Sequence, residues 1–184
     1  TSALAGTAVA ACGRKYLATP LRNGFMHETG IRILIRLCQL IGAMHEKALT
    51  PVFSYYKDHY IRAFFHCKEG SGRVDELLAQ HKEILYCNSC CGKRIREDED
   101  NIRCSCGKDP SRANTSRARH DWAQSLKGDL EMIKAGPLWA GKLFDTELAA
   151  RIAAAGADEK TKTFLKTIAE EAKMEGKAGA GFYT

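Results

Sequence analysis

Apolar residues recur at helical spacing along one stretch of this chain and cluster at strand spacing along two others. From His27 or Glu28 onward, Ile31, Leu34, Ile35, Cys38 and Ile41 share one helical face, and Ile33, Leu37, Leu40 and Met44 widen it. So wide a stripe predicts a mostly buried helix. Glu28, Arg32 and Arg36 fill the remaining strip, with Glu28 ahead of Arg32 in the favourable order for a helical ion pair. Pro51 to Tyr56 and Tyr60 to Cys67 are rich in aromatic and β-branched residues and predict two strands joined by a turn at Lys57 and Asp58.

Weaker signals place the other elements. A short helix is predicted over Val74 to His81 and a strand over Ile84 to Tyr86. Asp145 suits the N-cap of a helix through Ala155 that Gly156 can end, and Asp158 suits the cap of the next. In that last helix Phe164, Leu165, Ile168, Ala169 and Ala172 fall inward. Residues 1–26 read as irregular, broken by Pro20 and Gly24, and Ser111 to Arg119 as polar loop. Gly136-Pro137 punctuates the chain before Leu138-Trp139. Gly176 to Gly181 lacks the leading strand and following helix of a dinucleotide loop. The sum is an α+β fold: a buried helix on a small antiparallel sheet, a cysteine clip and carboxy-terminal helices.

Composition adds limits. The 184 residues are 45% hydrophobic and 27% charged, ordinary for a globular chain able to bury a core. No apolar run approaches the roughly 20 residues that span a bilayer, so no membrane association is expected. The first residues lack an initiator Met and read as mid-protein sequence, so a piece of a longer protein is expected. The net charge of +6 is modest, but its placement is uneven. Arg14, Lys15, Arg22, Arg32 and Arg36 face one acid, Glu28; Lys108, Arg112, Arg117 and Arg119 face Asp109. These two basic segments are either a phosphate-binding surface that the fold assembles or ordinary solvated charge.

Five of the eight cysteines fall between Cys87 and Cys106. Clustering without an export signal favours a metal in a reducing cytosol over a secreted disulfide framework. Cys87-Asn88-Ser89-Cys90-Cys91-Gly92 and Cys104-Ser105-Cys106-Gly107 are two close pairs, and zinc takes four soft ligands in a tetrahedron. Cys87, Cys90, Cys104 and Cys106 are the candidate ligands, with Cys91 the alternative to Cys90. An all-cysteine set leaves no open metal position, which argues against a zinc hydrolase. Asp58 and His59 are candidates for proton transfer or, more simply, for shaping the turn. Tyr and Arg residues of the same stretch have the chemistry to stack on bases.

Three blocks then carry a resemblance. They are Cys12-Gly13-Arg14-Lys15-Tyr16 through Pro20-Leu21-Arg22-Asn23 and His27-Glu28 to Leu34; Phe53 to Arg62, with Tyr55-Tyr56-Lys57-Asp58-His59-Tyr60 at its centre; and Gly136-Pro137-Leu138-Trp139-Ala140-Gly141-Lys142-Leu143. In order and spacing the chain resembles the tRNA (guanine-N2-)-dimethyltransferases that modify guanine 26. The resemblance implies a Rossmann-type, S-adenosylmethionine-dependent methyltransferase domain followed by a carboxy-terminal domain that helps grip tRNA. It implies that residues 1–26 are a remnant of the first domain and a linker, with Thr1 to Leu4 continuing a late strand. Residues 27–184 would then be the tRNA-engaging domain, with the clip at 86–107. The family's cofactor glycines and Asp-Pro-Phe motif lie upstream, and no Asp-Pro-Phe occurs in this chain. The implied reaction is attack by the exocyclic amine of guanine on the methyl group of S-adenosylmethionine. The implied tRNA contacts are Arg14, Lys15, Arg22, His27, Glu28, Arg32 and Arg62, with His27 and Glu28 bordering the pocket. A non-catalytic, zinc-containing RNA-binding module is the rival reading.

Overall fold

The computed structural model describes residues 2–57, 59–87, 90–96, 104, 106, 132–155 and 159–174. The second basic segment from Lys108 to Arg119, Asp58, Asp158 and the Gly176 to Gly181 stretch lie outside the described residues.

One helix organises the fold. Helix α2 (Met26–Ala43) begins after an Asx turn in which Asn23 Oδ1 accepts the Phe25 amide at 2.9 Å. Ile31, Ile33 and Ile35 are fully buried. The periodicity also sends Ile41 and Met44 inward, but they are 53% and 80% exposed. After Ala43 the chain turns at His45 and Glu46 straight into strand β1 (Lys47–Lys57), and among the described residues no element covers that face at the end of α2. Gly42 permits the reversal, because a Cβ there would lie 2.7 Å from the Lys47 carbonyl.

Two small antiparallel sheets flank α2, where the sequence suggests one. In the first, β1 (Lys47–Lys57) pairs with β2 (Tyr60–Glu69). A bulge falls at Val52, next to Pro51, which has no amide for the ladder. Strand alternation puts Phe53 and Tyr55 towards Phe144 and Phe164, while Tyr56 meets His27 of α2. Helix α3 (Ser71–Leu78) starts and ends three residues before the predicted span and buries Val74 and Leu77.

The second sheet has the order β4-β3-β5, from β3 (His81–Tyr86), β4 (Lys93–Ile95) and β5 (Ile133–Trp139). Gly136-Pro137 does not break the chain: β5 runs through it. Opposite it the β3 register shifts between Lys82 and Ile84, and Gly136 pairs instead with Thr19 through bonds of 2.7 and 2.9 Å. Asp145 caps helix α4 (Thr146–Ala155) as expected, its Oδ1 accepting the amides of Glu147 and Leu148 at 3.0 and 3.1 Å. Its own amide donates to the carbonyl of the bulged Val52 at 2.8 Å. Helix α5 (Glu159–Met174) follows, with Phe164 and Leu165 against the core.

The amino-terminal stretch departs most from expectation. Residues 1–26 read as irregular, yet Val9–Tyr16 form helix α1, ended by Leu17 in the left-handed region at φ 51°. Cys12 is buried and Tyr16 packs partly against the same cluster, but eight residues interrupted by Gly13 carry too short a repeat to stand out in the sequence. Ser2 to Gly6 form a turn rather than a strand end, with the Thr7 amide bonded to the Ser2 carbonyl at 3.1 Å. Leu4, Cys12 and Ala18 pack with Ile33 and Leu138, and Leu21 packs with Tyr86 and Ala135. The stretch is therefore seated on α2 and the second sheet at once.

Candidate nucleic-acid site and metal centre

The β3–β4 hairpin builds the cysteine centre. Cys87 follows β3 directly; its amide donates to Gly92 O and its carbonyl accepts from the Cys91 amide, both at 2.9 Å. The Gly92 amide then points at Cys90 Sγ, 3.3 Å away. The residue that takes left-handed backbone here is Cys91, at φ 59°. Its side chain is exposed, while Cys90 Sγ faces inward. Cys104 and Cys106 close the cluster from the other side: Cys90 Sγ lies 3.6 Å from Cys104 Sγ, and Cys87 Sγ lies 3.9 Å from Cys106 Sγ. All four sulfurs lie within 4.8 Å of one another. Four thiolates at the zinc–sulfur distance around a tetrahedral ion would be about 3.8 Å apart, so the cluster has the size for a metal. The Cys104 thiol is pushed up to about 12: the Cys106 amide lowers it, but burial and hydrogen bonds with the thiols of Cys106, Cys90 and Cys87 raise it more. Such crowding opposes ionisation of bare thiols, and a divalent cation relieves it by displacing the protons.

The candidate cations divide into two kinds. Arg14 and Lys15 occupy the exposed last turn of α1, and Arg22 is exposed just after the buried Leu21. Arg62 is exposed on β2, its guanidinium 5.1 Å from the centroid of the Tyr60 ring. Arg32 is committed internally. Its Nε donates to Glu28 Oε1 at 2.9 Å, and its Nη1 donates to the carbonyls of Trp139 and Gly141 at 3.0 and 2.7 Å. Glu28 is buried and holds Lys93 as well, at 3.5 Å. Together Glu28 and Arg32 lock α2 to the end of β5. Arg36 is partly buried against the Tyr16 carbonyl, and burial lowers its pKa.

His27 stands at the start of α2 and stacks on Tyr56 of β1, with ring centroids 3.7 Å apart and planes 17° from parallel. The pair borders a cleft of about 140 Å³ whose other walls are Leu4, Ala5, Met26 and Ile61. Burial lowers the His27 pKa, so the ring is neutral at pH 7. Sequence spacing alone does not bring Tyr56 to His27; their membership of two different motif blocks was the available hint. Lys93 as a partner of Glu28 has no signal in the sequence.

Comparison with known proteins follows the same lines. The chain matches the family described as N2,N2-dimethylguanosine tRNA methyltransferase over residues 1–183. It is 32% identical to the tRNA (guanine(26)-N(2)/guanine(27)-N(2))-dimethyltransferase of Aquifex aeolicus, covering 100% of this chain and 42% of that protein. It is 30% identical to the tRNA (guanine(26)-N(2))-dimethyltransferase of Methanobrevibacter smithii, covering 100% and 43%. The chain thus spans about two fifths of the length of these relatives. Its fold is similar to Trm1 from Pyrococcus horikoshii in complex with S-adenosyl-L-methionine, with a TM-score of 0.69 and 25% identity over 92% of this chain and 40% of that one.

Proposed function

The chain belongs to the N2,N2-dimethylguanosine tRNA methyltransferase family, and from that premise we propose that it is the tRNA-gripping part of an S-adenosylmethionine-dependent enzyme that methylates the exocyclic N2 of guanine 26. The observation that carries this reading is the family match along essentially the whole chain, including all three motif blocks. Arg14, Lys15, Arg22 and Arg62 are exposed and act as phosphate contacts that set register without reading sequence. Glu28 and Arg32 serve tRNA indirectly, by fixing the start of α2 and so the place of His27. Cys87, Cys90, Cys104 and Cys106 hold a structural zinc that braces the β3–β4 hairpin in a reducing cytosol. S-adenosylmethionine supplies the methyl group when bound; the described residues contain no glycine-rich strand–turn–helix to cradle it, and its site is assigned to the remainder of the parent protein.

The test uses the complete parent enzyme, its cognate tRNA and labelled S-adenosylmethionine. Wild type should transfer methyl groups to guanine N2. Replacing Arg22 or Arg14 with Ala should weaken binding and reduce the slope of log affinity against log salt by about one each. RNA binding without methyl transfer would favour the non-catalytic module, and an unchanged slope in both variants would remove the phosphate assignment.

A further inference from the structure

The cysteine clip and the start of α2 stand on separate elements, and the folded chain joins them at one residue. Lys93 pairs with Tyr86 across β3 and β4. Cys87 follows Tyr86, Gly92 precedes Lys93, and the Cys87 amide bonds to the Gly92 carbonyl at 2.9 Å, so this pair is the neck of the clip. Cross-strand partners share a face of a sheet. On that face the Tyr86 and Phe25 ring centroids are 5.2 Å apart. Lys93 Nζ lies 4.8 Å from the Phe25 centroid and 3.5 Å from Glu28 Oε1.

Both targets of Lys93 belong to the start of α2. Phe25 is the N-cap residue, and no side-chain hydrogen bond caps the helix there. Glu28 is buried, and among the described residues its Oε2 has no hydrogen-bond partner. A buried carboxylate depends on its cations. Arg32 comes from the same helix; among the described residues Lys93 is the cation that reaches Glu28 from another element. Lys93 itself stands on β4, an edge strand of three residues, none of them buried. So short a strand, paired on one side, is marginal without help. Arg96 fixes its far end, with its amide on the Glu83 carbonyl and its Nη1 on Glu83 Oε2, both at 2.8 Å. The clip fixes its near end.

We propose that Lys93 is a positioning residue that makes the first turn of α2 depend on the metal in the clip. This rests on the reading above, in which the four cysteines hold zinc and α2 serves methyl transfer. With zinc bound, the neck is closed and Lys93 is held on Phe25 and Glu28. Without it the neck is free to open, Glu28 keeps Arg32 alone, and the turn that carries His27 loosens.

The experiment follows hydrogen exchange in the complete enzyme, zinc-loaded and after chelation. The amides to watch are Thr29 to Ile31, the first of which donates to the Phe25 carbonyl at 2.9 Å. Chelation should speed their exchange about tenfold, the effect of one lost charged partner, and leave the β2 amides unchanged. Lys93→Met keeps the aliphatic stem over Phe25 and should keep zinc. It should show the faster exchange with zinc already bound and no further change on chelation, because both perturbations act through one contact. Lys93→Arg keeps the charge and should keep the zinc dependence. The kcat for methyl transfer to cognate tRNA should fall about tenfold in Lys93→Met, again one charged partner, and recover in Lys93→Arg. Wild-type exchange and kcat in zinc-loaded Lys93→Met would overturn the role of Lys93. Equal acceleration in α2 and β2 on chelation would mean global unfolding and would overturn the local coupling. A wild-type enzyme without zinc would overturn the metal reading and this coupling with it. A zinc-loaded enzyme that does not methylate would overturn the functional reading, while the exchange measurement still decides the coupling.

Discussion

His81 shows how one partly buried side chain ties the molecule to pH. Its Nε2 lies 2.8 Å from Gln39 Oε1, and Gln39 Nε2 donates to the Leu49 carbonyl at 3.1 Å. The amide orientation that serves Leu49 leaves its oxygen for the ring, so the His81 proton belongs on Nε2. This chain of bonds joins β3, α2 and β1. Burial, and then the charge of Arg36, push the His81 pKa down to about 4. The fold therefore favours the neutral ring, while the unfolded chain protonates it near pH 6.5. The His81 contribution is fully present above pH 6.5 and is lost as pH falls from there towards 4. Urea midpoints should drop between pH 7 and pH 5, and His81→Gln should flatten that drop; an equal drop in the variant would show that other groups carry it.

The β3–β4 hairpin is the element on which the cysteine assignment turns. In the sequence Cys90 is the candidate ligand and its neighbour Cys91 the alternative; in the fold the left-handed backbone at Cys91 turns its side chain out while the Gly92 amide addresses Cys90 Sγ. Metal content of the purified complete protein should be one zinc per chain. Cys91→Ser should keep it, and Cys90→Ser should lose it together with thermal stability, because structural zinc binding is folding free energy. Loss of zinc from Cys91→Ser alone would reverse the assignment.

On the scale of the molecule, the amino-terminal stretch is built into the body that follows it. Gly6, at φ 74°, has no room for a Cβ against the Leu21 carbonyl, and Leu21 is 1% exposed against Tyr86 and Ala135. Thr19 adds its pair of bonds to Gly136. Leu21→Ala should therefore cost about 2–5 kcal/mol and lower a single cooperative transition. An early separate transition, with residues 1–26 leaving first, would mean that the stretch is a detachable linker.

The sequence by itself determined what depends on near neighbours along the chain. The α2 stripe, the Glu28–Arg32 pair, the Asp145 cap and each of the two close cysteine pairs arise within a few residues or from tight turns, where covalent geometry fixes the spacing. The strands of the hairpin were legible for the same reason, though each extends further once paired. Helix α1 was not, because its eight residues, interrupted by Gly13, hold only one short repeat. Tertiary structure decided which cations face solvent and which are spent inside. Arg32 reads like Arg22 in sequence, yet its partners at Trp139 and Gly141 are more than a hundred residues away. It also decided that His27 meets Tyr56, since contact between separate elements depends on how their apolar faces pack. The cleft that those two rings border exists only because α2, the hairpin and the Ser2–Ala5 turn close on one another.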